Sequence, residues 1–277
     1  MTTQDSYVLG RSPAEYERLR RQARMWEPET DRLFDRVGLG PGASCLDAGC
    51  GPGETMRLMA ERAGPAGRVT GIDVDAPLGA QAVEMLRAAG HRNCSFEAVD
   101  VESSADVPGA PFDLVYARLL LLHVGDPVAV LRRLWSLVRP GGHLVVQDYH
   151  VLSGAVVPGH DAANEFMRVA RETLSLGGCD LEIGLRLPDL CLRAGVGAPD
   201  GIDAGVRVGP LPELAHMFEA VYRSVLPRAL ELGLTTAADS EQWLEDFTRN
   251  SGAAHSHTAL WSLLIGTWKR KTTEVHA

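Results

Sequence analysis

The residues that could do chemistry in this chain are carboxylates, glycines and histidines set at the ends of short apolar runs. Asp47-Ala48-Gly49-Cys50-Gly51-Pro52-Gly53 packs an acid and three glycines into one turn. Glycine tolerates positive φ and lets a ligand come up to the backbone with no Cβ in the way. N–H groups left open at the start of a following helix would add a partial positive charge. Asp73 closes the run Val69-Thr70-Gly71-Ile72, where a carboxylate can accept both hydroxyls of a ribose, so a ligand containing a nucleoside is expected. Asp100 closes a third run, Phe96-Glu97-Ala98-Val99. His123 follows a fourth, Phe112-Asp113-Leu114-Val115-Tyr116-Ala117, and His150 follows a fifth. Imidazole titrates near neutral pH, which makes His123 and His150 the candidate proton acceptors. The five cysteines, at positions 45, 50, 94, 179 and 191, are odd in number and form no close pair, so neither a disulfide framework nor a zinc site is expected.

Alternating strands and helices must position these groups. Ala43-Ser44-Cys45-Leu46 reads as a buried strand ahead of the glycine turn, and Met56, Met59, Ala60 and Ala63 recur behind it at helical spacing. Leu78, Ala82, Met85, Leu86 and Ala89 form the next helical stripe, and Val130, Leu131, Leu134, Leu137 and Val138 another. Arg139-Pro140-Gly141-Gly142 turns into a fifth strand over 143–147, and Asp148, Tyr149 and His150 leave it as candidate pocket residues. This alternation predicts an α/β fold with a doubly wound, mostly parallel sheet. Ser12-Pro13-Ala14-Glu15 is a capping box opening an N-terminal helix, with Tyr16, Leu19, Ala23 and Trp26 on its apolar face and Arg18, Arg20 and Arg21 on a solvated one. Ala163, Phe166, Met167, Ala170 and Leu174 mark an inserted helix, with Asp161, Glu165 and Glu172 on its wet side. Leu187-Pro188-Asp189-Leu190 starts a short helix, Val206-Arg207-Val208 is expected as a strand, residues 211–232 and 243–247 supply further helices, and residues 259–268 the last strand.

The chain has 277 residues, enough for one large domain with additions. Its net charge of −9 and the lack of a basic run beyond Lys269-Arg270-Lys271 argue against a nucleic-acid partner and for a small molecule. Lys269 and Lys271 are the only lysines, an arginine bias expected of a GC-rich bacterial genome. Residues 1–10 are polar with no signal core, and no apolar run reaches the roughly 18 residues of a membrane span. A soluble, cytoplasmic protein is expected, and homo-oligomerisation is left open.

Taken together, the strand-end acids, the glycine turn, the Arg-Pro-Gly-Gly turn and a histidine shortly before Asp126-Pro127 resemble the class I S-adenosylmethionine-dependent methyltransferases, in particular small-molecule enzymes related to ubiquinone/menaquinone C-methyltransferases. Many relatives carry two adjacent histidines where this chain has Leu122-His123. The resemblance implies a seven-stranded, mostly parallel, Rossmann-like sheet whose last strand is antiparallel. It implies an N-terminal helical lid over residues 1–40 and a methyltransferase domain over 41–277, with helical substrate-lid insertions at about 151–185 and 210–257. It also implies S-adenosylmethionine as cofactor. Asp47, Gly49 and Gly51 would line its methionine and ribose, Asp73 the ribose hydroxyls, and Val74 the adenine face. Asp100 and Val101 would meet the adenine amino group, Arg118 would lie at the methionine end, and Tyr7 would touch that end from the lid. The methyl would go to an O, C or N atom of a small molecule, expected to be a bacterial secondary metabolite. Two other readings compete: a cofactor binder without methyl transfer, and a nicotinamide oxidoreductase on a related fold. The dinucleotide fingerprint wants a third glycine three residues after Gly51, a place held here by Glu54.

Overall fold

A computed structural model of the chain describes residues 13–103 and 106–272. Tyr7 and the capping residue Ser12 lie outside the described residues. The first half alternates as the apolar runs dictate: α1 (Pro13–Met25), α2 (Glu27–Arg36), β1 (Ser44–Ala48), α3 (Glu54–Ala63), β2 (Arg68–Asp73), α4 (Ala76–Ala88), β3 (Cys94–Ala98), β4 (Phe112–Arg118), α5 (Pro127–Ser136) and β5 (Val138–His150). The second half runs β6 (Ala155–Val157), α6 (Asp161–Leu176), α7 (Ile183–Arg193), β7 (Gly201–Gly205), β8 (Val208–Pro210), α8 (Leu211–Glu231), α9 (Ala237–Asn250), β9 (Thr258–Leu260) and β10 (Leu263–Arg270).

Seven strands form the main sheet in the order β3-β2-β1-β4-β5-β10-β7. Strands β1 to β5 pair in parallel. Strand β10 runs antiparallel between β5 and β7. The order reverses between β1 and β4, the switch point outside which α/β proteins bind their ligands. Leu33, Phe34, Met56, Met59 and Val83 fill one face of the sheet, from α2, α3 and α4. Leu131, Leu134, Ile183, Leu187 and Leu190, from α5 and α7, fill the other. A separate apolar cluster includes Tyr149 near the carboxyl end of β5, and in it Phe166 of α6 stacks on Tyr222 of α8 with ring centroids 4.1 Å apart.

Four elements differ from the sequence expectation. The sheet's sixth strand is β7 rather than Val206-Arg207-Val208, while Val208 opens β8 in a small antiparallel sheet of order β6-β9-β8. Residues 259–268 break at Trp261-Ser262, so one expected strand serves two sheets. Pro188 lies inside α7, not at its start. Strand β5 continues through His150 because β10 pairs with it as far as Leu263 opposite His150, so Asp148, Tyr149 and His150 remain on the strand and alternate in direction.

Candidate active site

The carboxyl ends of β1, β2, β3 and β4 open into one continuous cleft of about 300 Å³. The glycine turn shapes its floor. Gly49, Gly51 and Gly53 all have positive φ, and the position a Cβ would take on Gly51 is open space. The backbone N–H groups of this turn are not waiting for a phosphate. Gly49 and Cys50 both donate to the carbonyl of Ile72, at 2.8 and 3.0 Å, and Gly53 donates to that of Cys50. Gly51 donates to Oδ2 of Asp73 at 2.9 Å. Within the glycine turn itself the N–H groups of these four residues are thus taken up by the chain. Glu54, buried at the first turn of α3, further discourages an anion there.

Among the residues lining the cleft, Asp47 has a side-chain oxygen without a counterpart. It is 2% exposed, and its Oδ2 is buried with no hydrogen-bond donor among the described residues. Burial pushes its carboxyl up to about 7, with the Arg118 guanidinium pulling it back and Asp73 raising it further. Arg118 itself is anchored by a 2.9 Å bond from Nη1 to Oγ1 of Thr30. Asp73 is fixed by N–H donors on both oxygens, from Gly51 and, at 2.9 Å, from Asp75. Burial raises its carboxyl and these donors oppose the rise. Val74 stands 37% exposed to the cleft, an apolar surface with nothing yet packed on it. Asp100 accepts the N–H of Glu102 at 2.8 Å. Asp100 and Val101 both line the same end. The cleft therefore gathers Asp47, Gly49, Gly51, Asp73, Val74, Asp100, Val101, Arg118 and His123 from the sequence-derived set.

His150 does not join them. Alternation along β5 sends Tyr149 into the cleft and His150 to the opposite face, where its Nδ1 is buried without a partner. Asp148 shares that face, fully buried, and accepts the N–H of Leu122 at 3.1 Å beneath the turn that carries His123. His123 sits with its Nδ1 3.8 Å from Sγ of Cys179. Burial, helped by Arg18, lowers its imidazole to about 4, so it is neutral at physiological pH and a weak base there.

Several contributors were not legible as site residues. Arg18, expected on a wet face with Arg20 and Arg21, lines the cleft and forks onto Glu15 at 2.8 and 2.6 Å. Helix α1 spans the cleft like a beam. At one end Tyr16 donates to Oδ2 of Asp75 at 2.9 Å. At the other, Gln22 Nε2 and Trp26 Nε1 donate to the hydroxyl of Tyr149 at 2.9 and 2.6 Å, joined by Trp261 Nε1 at 3.3 Å. A second bond, from Arg18 to Oε1 of Gln22, fixes the orientation of that amide. Arg171 lines the far end. Its sequence held a signal, because no acid lies three or four residues away on either side, while Arg168 has Glu165 and Glu172 at those spacings. Those two acids indeed pair with Arg168.

Comparison with known proteins gives the architecture a family. A family profile described as a methyltransferase domain matches residues 39–175. Trans-aconitate 2-methyltransferase of Paracidovorax citrulli is 38% identical over 45% of this chain and 47% of its own length. Nocamycin O-methyltransferase of Saccharothrix syringae is 37% identical over 43% of this chain and 42% of its own. The chain thus spans less than half the length of these two relatives. A crystal structure of a SAM-dependent methyltransferase from Aquifex aeolicus superposes with a TM-score of 0.54 at 15% identity, covering 95% of this chain and all of that one. No helix among the described residues is long and apolar enough to cross a membrane. The sheet order, the glycine turn with its strand-end acids, and these matches agree: residues 39–175 carry a methyltransferase domain, on a fold similar to that of the S-adenosylmethionine-dependent methyltransferases.

Proposed function

We propose that this protein transfers a methyl group from S-adenosylmethionine to an O, C or N atom of a small molecule, in bacterial secondary metabolism. The observation that carries this reading is the buried carboxylate of Asp47, which has an unpaired oxygen and lines a cleft together with further acids. A phosphate-rich dinucleotide would meet those acids and a turn with its N–H groups already spent. A ligand bearing an ammonium would complete Asp47, since an unpaired buried charge costs several kcal/mol until a partner arrives. In this arrangement Asp47 holds the methionine ammonium and Arg118 its carboxylate. Asp73 takes the ribose hydroxyls through the lone pairs left by its two N–H donors, Val74 and Val101 flank the adenine, and Asp100 takes its amino group. Within residues 1–40, helix α1 acts as the lid across the cleft, while α2 packs on the sheet.

When bound, the cofactor supplies an electrophilic methyl carried on a sulfonium. The protein's part is to hold the acceptor in line and keep water out. The α1 beam and the aromatic walls do the second task. His123 faces the cleft as a neutral imidazole able to orient an acceptor proton, and its low pKa makes it a modest base. His150 is on the wrong face of β5 for this role. Calorimetry with S-adenosylhomocysteine and with NADH tests the cofactor, the expected outcome being binding of the first alone. NADH binding without a response to S-adenosylhomocysteine would overturn the proposal. Screening acceptors for turnover, with the added methyl located by mass spectrometry, separates an enzyme from a silent binder: cofactor binding with no turnover on any acceptor favours the latter.

A further inference from the structure

Charge is segregated along the cleft. Its six acids, Asp47, Glu54, Asp73, Asp75, Asp100 and Glu102, all come from the segments at the ends of β1, β2 and β3. The opposite end is walled by Phe166, Leu174, Phe218 and Trp261, from α6, α8 and the residues after β9. That end has no acid among its lining residues and two cations, Arg18, which is committed to Glu15 and Gln22, and Arg171. Arg171 is held by its Nη2, which donates to the carbonyls of Gly154 at 2.6 Å and Leu152 at 3.4 Å. Its Nε and Nη1 have no acceptor among the described residues. No ion pair within 4.0 Å is formed by it there, although its helix neighbour Arg168 has two. Burial lowers its pKa with no carboxylate to counter the effect.

A neutral apolar occupant would strip water from this guanidinium and offer nothing in exchange, leaving a charge uncompensated among aromatic walls. With Arg18 already neutralised by Glu15, a monoanion matches the charge of Arg171, whereas a phosphate dianion would carry a second charge with no partner at that end. We propose, building on the methyltransferase reading, that the methyl acceptor is an apolar molecule bearing a carboxylate, with its body against Phe166, Phe218 and Trp261 and its carboxylate on Arg171, which sets acceptor specificity.

The test needs no knowledge of the natural acceptor. Protein saturated with S-adenosylhomocysteine is titrated calorimetrically with 3-phenylpropionate, 2-naphthylacetate and octanoate, each against its primary amide. At least one acid should bind tighter than its amide by roughly 10–100-fold, the range for a charge-assisted hydrogen bond. Arg171→Gln should erase that preference and Arg171→Lys keep most of it, with S-adenosylhomocysteine affinity unchanged in both. The proposal is overturned if no acid outbinds its amide in the wild type, or if the preference survives Arg171→Gln. Absence of S-adenosylhomocysteine binding in the wild type would instead strike the cofactor assignment, so the two failures are distinguishable.

Discussion

Replacing Asp47 by Asn should stabilise the ligand-free protein and weaken cofactor binding in the same variant. The carboxyl's pKa rises from 3.8 to about 7 on folding, roughly 3 units, and at about 1.4 kcal/mol per unit this is about 4 kcal/mol. A carboxyl raised in the folded state contributes stability that is fully present below its unfolded pKa and lost as pH rises through the folded one. At pH 8 the ionised, 2% exposed Asp47 therefore destabilises the ligand-free fold by that amount. An amide there carries no charge but leaves polar groups unpaired, at a cost of about 1–3 kcal/mol. The net gain is about 1–3 kcal/mol, or roughly 3–8 °C in melting temperature for a domain of this size. Thermal unfolding of the ligand-free pair at pH 8 and pH 5 checks this, and the gain should shrink at pH 5, where wild-type Asp47 is protonated. Calorimetry at pH 8 should show the variant binding S-adenosylhomocysteine more than about tenfold weaker, the loss of one charge-assisted bond. A variant that melts lower than wild type at pH 8, or that binds the cofactor equally well, would refute the account of Asp47 as a charge awaiting a cation.

Tyr149→Phe removes the oxygen on which Gln22, Trp26 and Trp261 converge, leaving buried donors unmet; urea unfolding should show a loss of about 2–4 kcal/mol, and a loss under about 1 kcal/mol would mean that water replaces the hydroxyl. His123, lowered to about 4, should show an imidazole NMR titration well below that of an ordinary histidine. Its neutral form supports the fold above pH 6.5, and that support is lost as pH falls toward 4; a midpoint near 6.5 would contradict its burial. Gly71→Ala would set a methyl 2.5 Å from Sδ of Met56 and 2.8 Å from Sγ of Cys50. Overpacking of this kind costs about 1–3 kcal/mol and should disturb the glycine turn, lowering both melting temperature and cofactor affinity.

The half of the fold that carries the glycine turn was legible because its strands are short apolar runs, several of them closed by an acid, and its helices have their own stripes. The other half depends on contacts between distant segments. Gly201-Ile202-Asp203-Ala204-Gly205 looks like a loop, yet Gly201 lies against the Trp268 ring and Gly205 against Trp26, where a Cβ would fall within 2.1 and 2.8 Å of them. Packing against those rings overrides propensity and makes β7 a strand. Which of Asp148, Tyr149 and His150 enters the cleft depends on where β5 ends, and pairing with a segment more than a hundred residues later decides that. Arg18 read as surface because its anchors are spread out: Glu15 pairs with it and also accepts from Ser224 at 2.6 Å, 209 residues away.

The beam-like placement of α1 has a kinetic consequence. A helix from Tyr16 to Met25 is about 14 Å long and bends little, so its bonds to Asp75 near one end and, through Gln22 and the adjoining Trp26, to Tyr149 at the other cannot open independently. With the bond from Ser224 to Glu15 counted as well, and about 1 kcal/mol for each of the four, the open state is populated roughly once in a thousand molecules, with collective motions of this kind falling in the microsecond to millisecond range. Under the methyl-transfer reading proposed above, spent cofactor and methylated product would leave during the same opening.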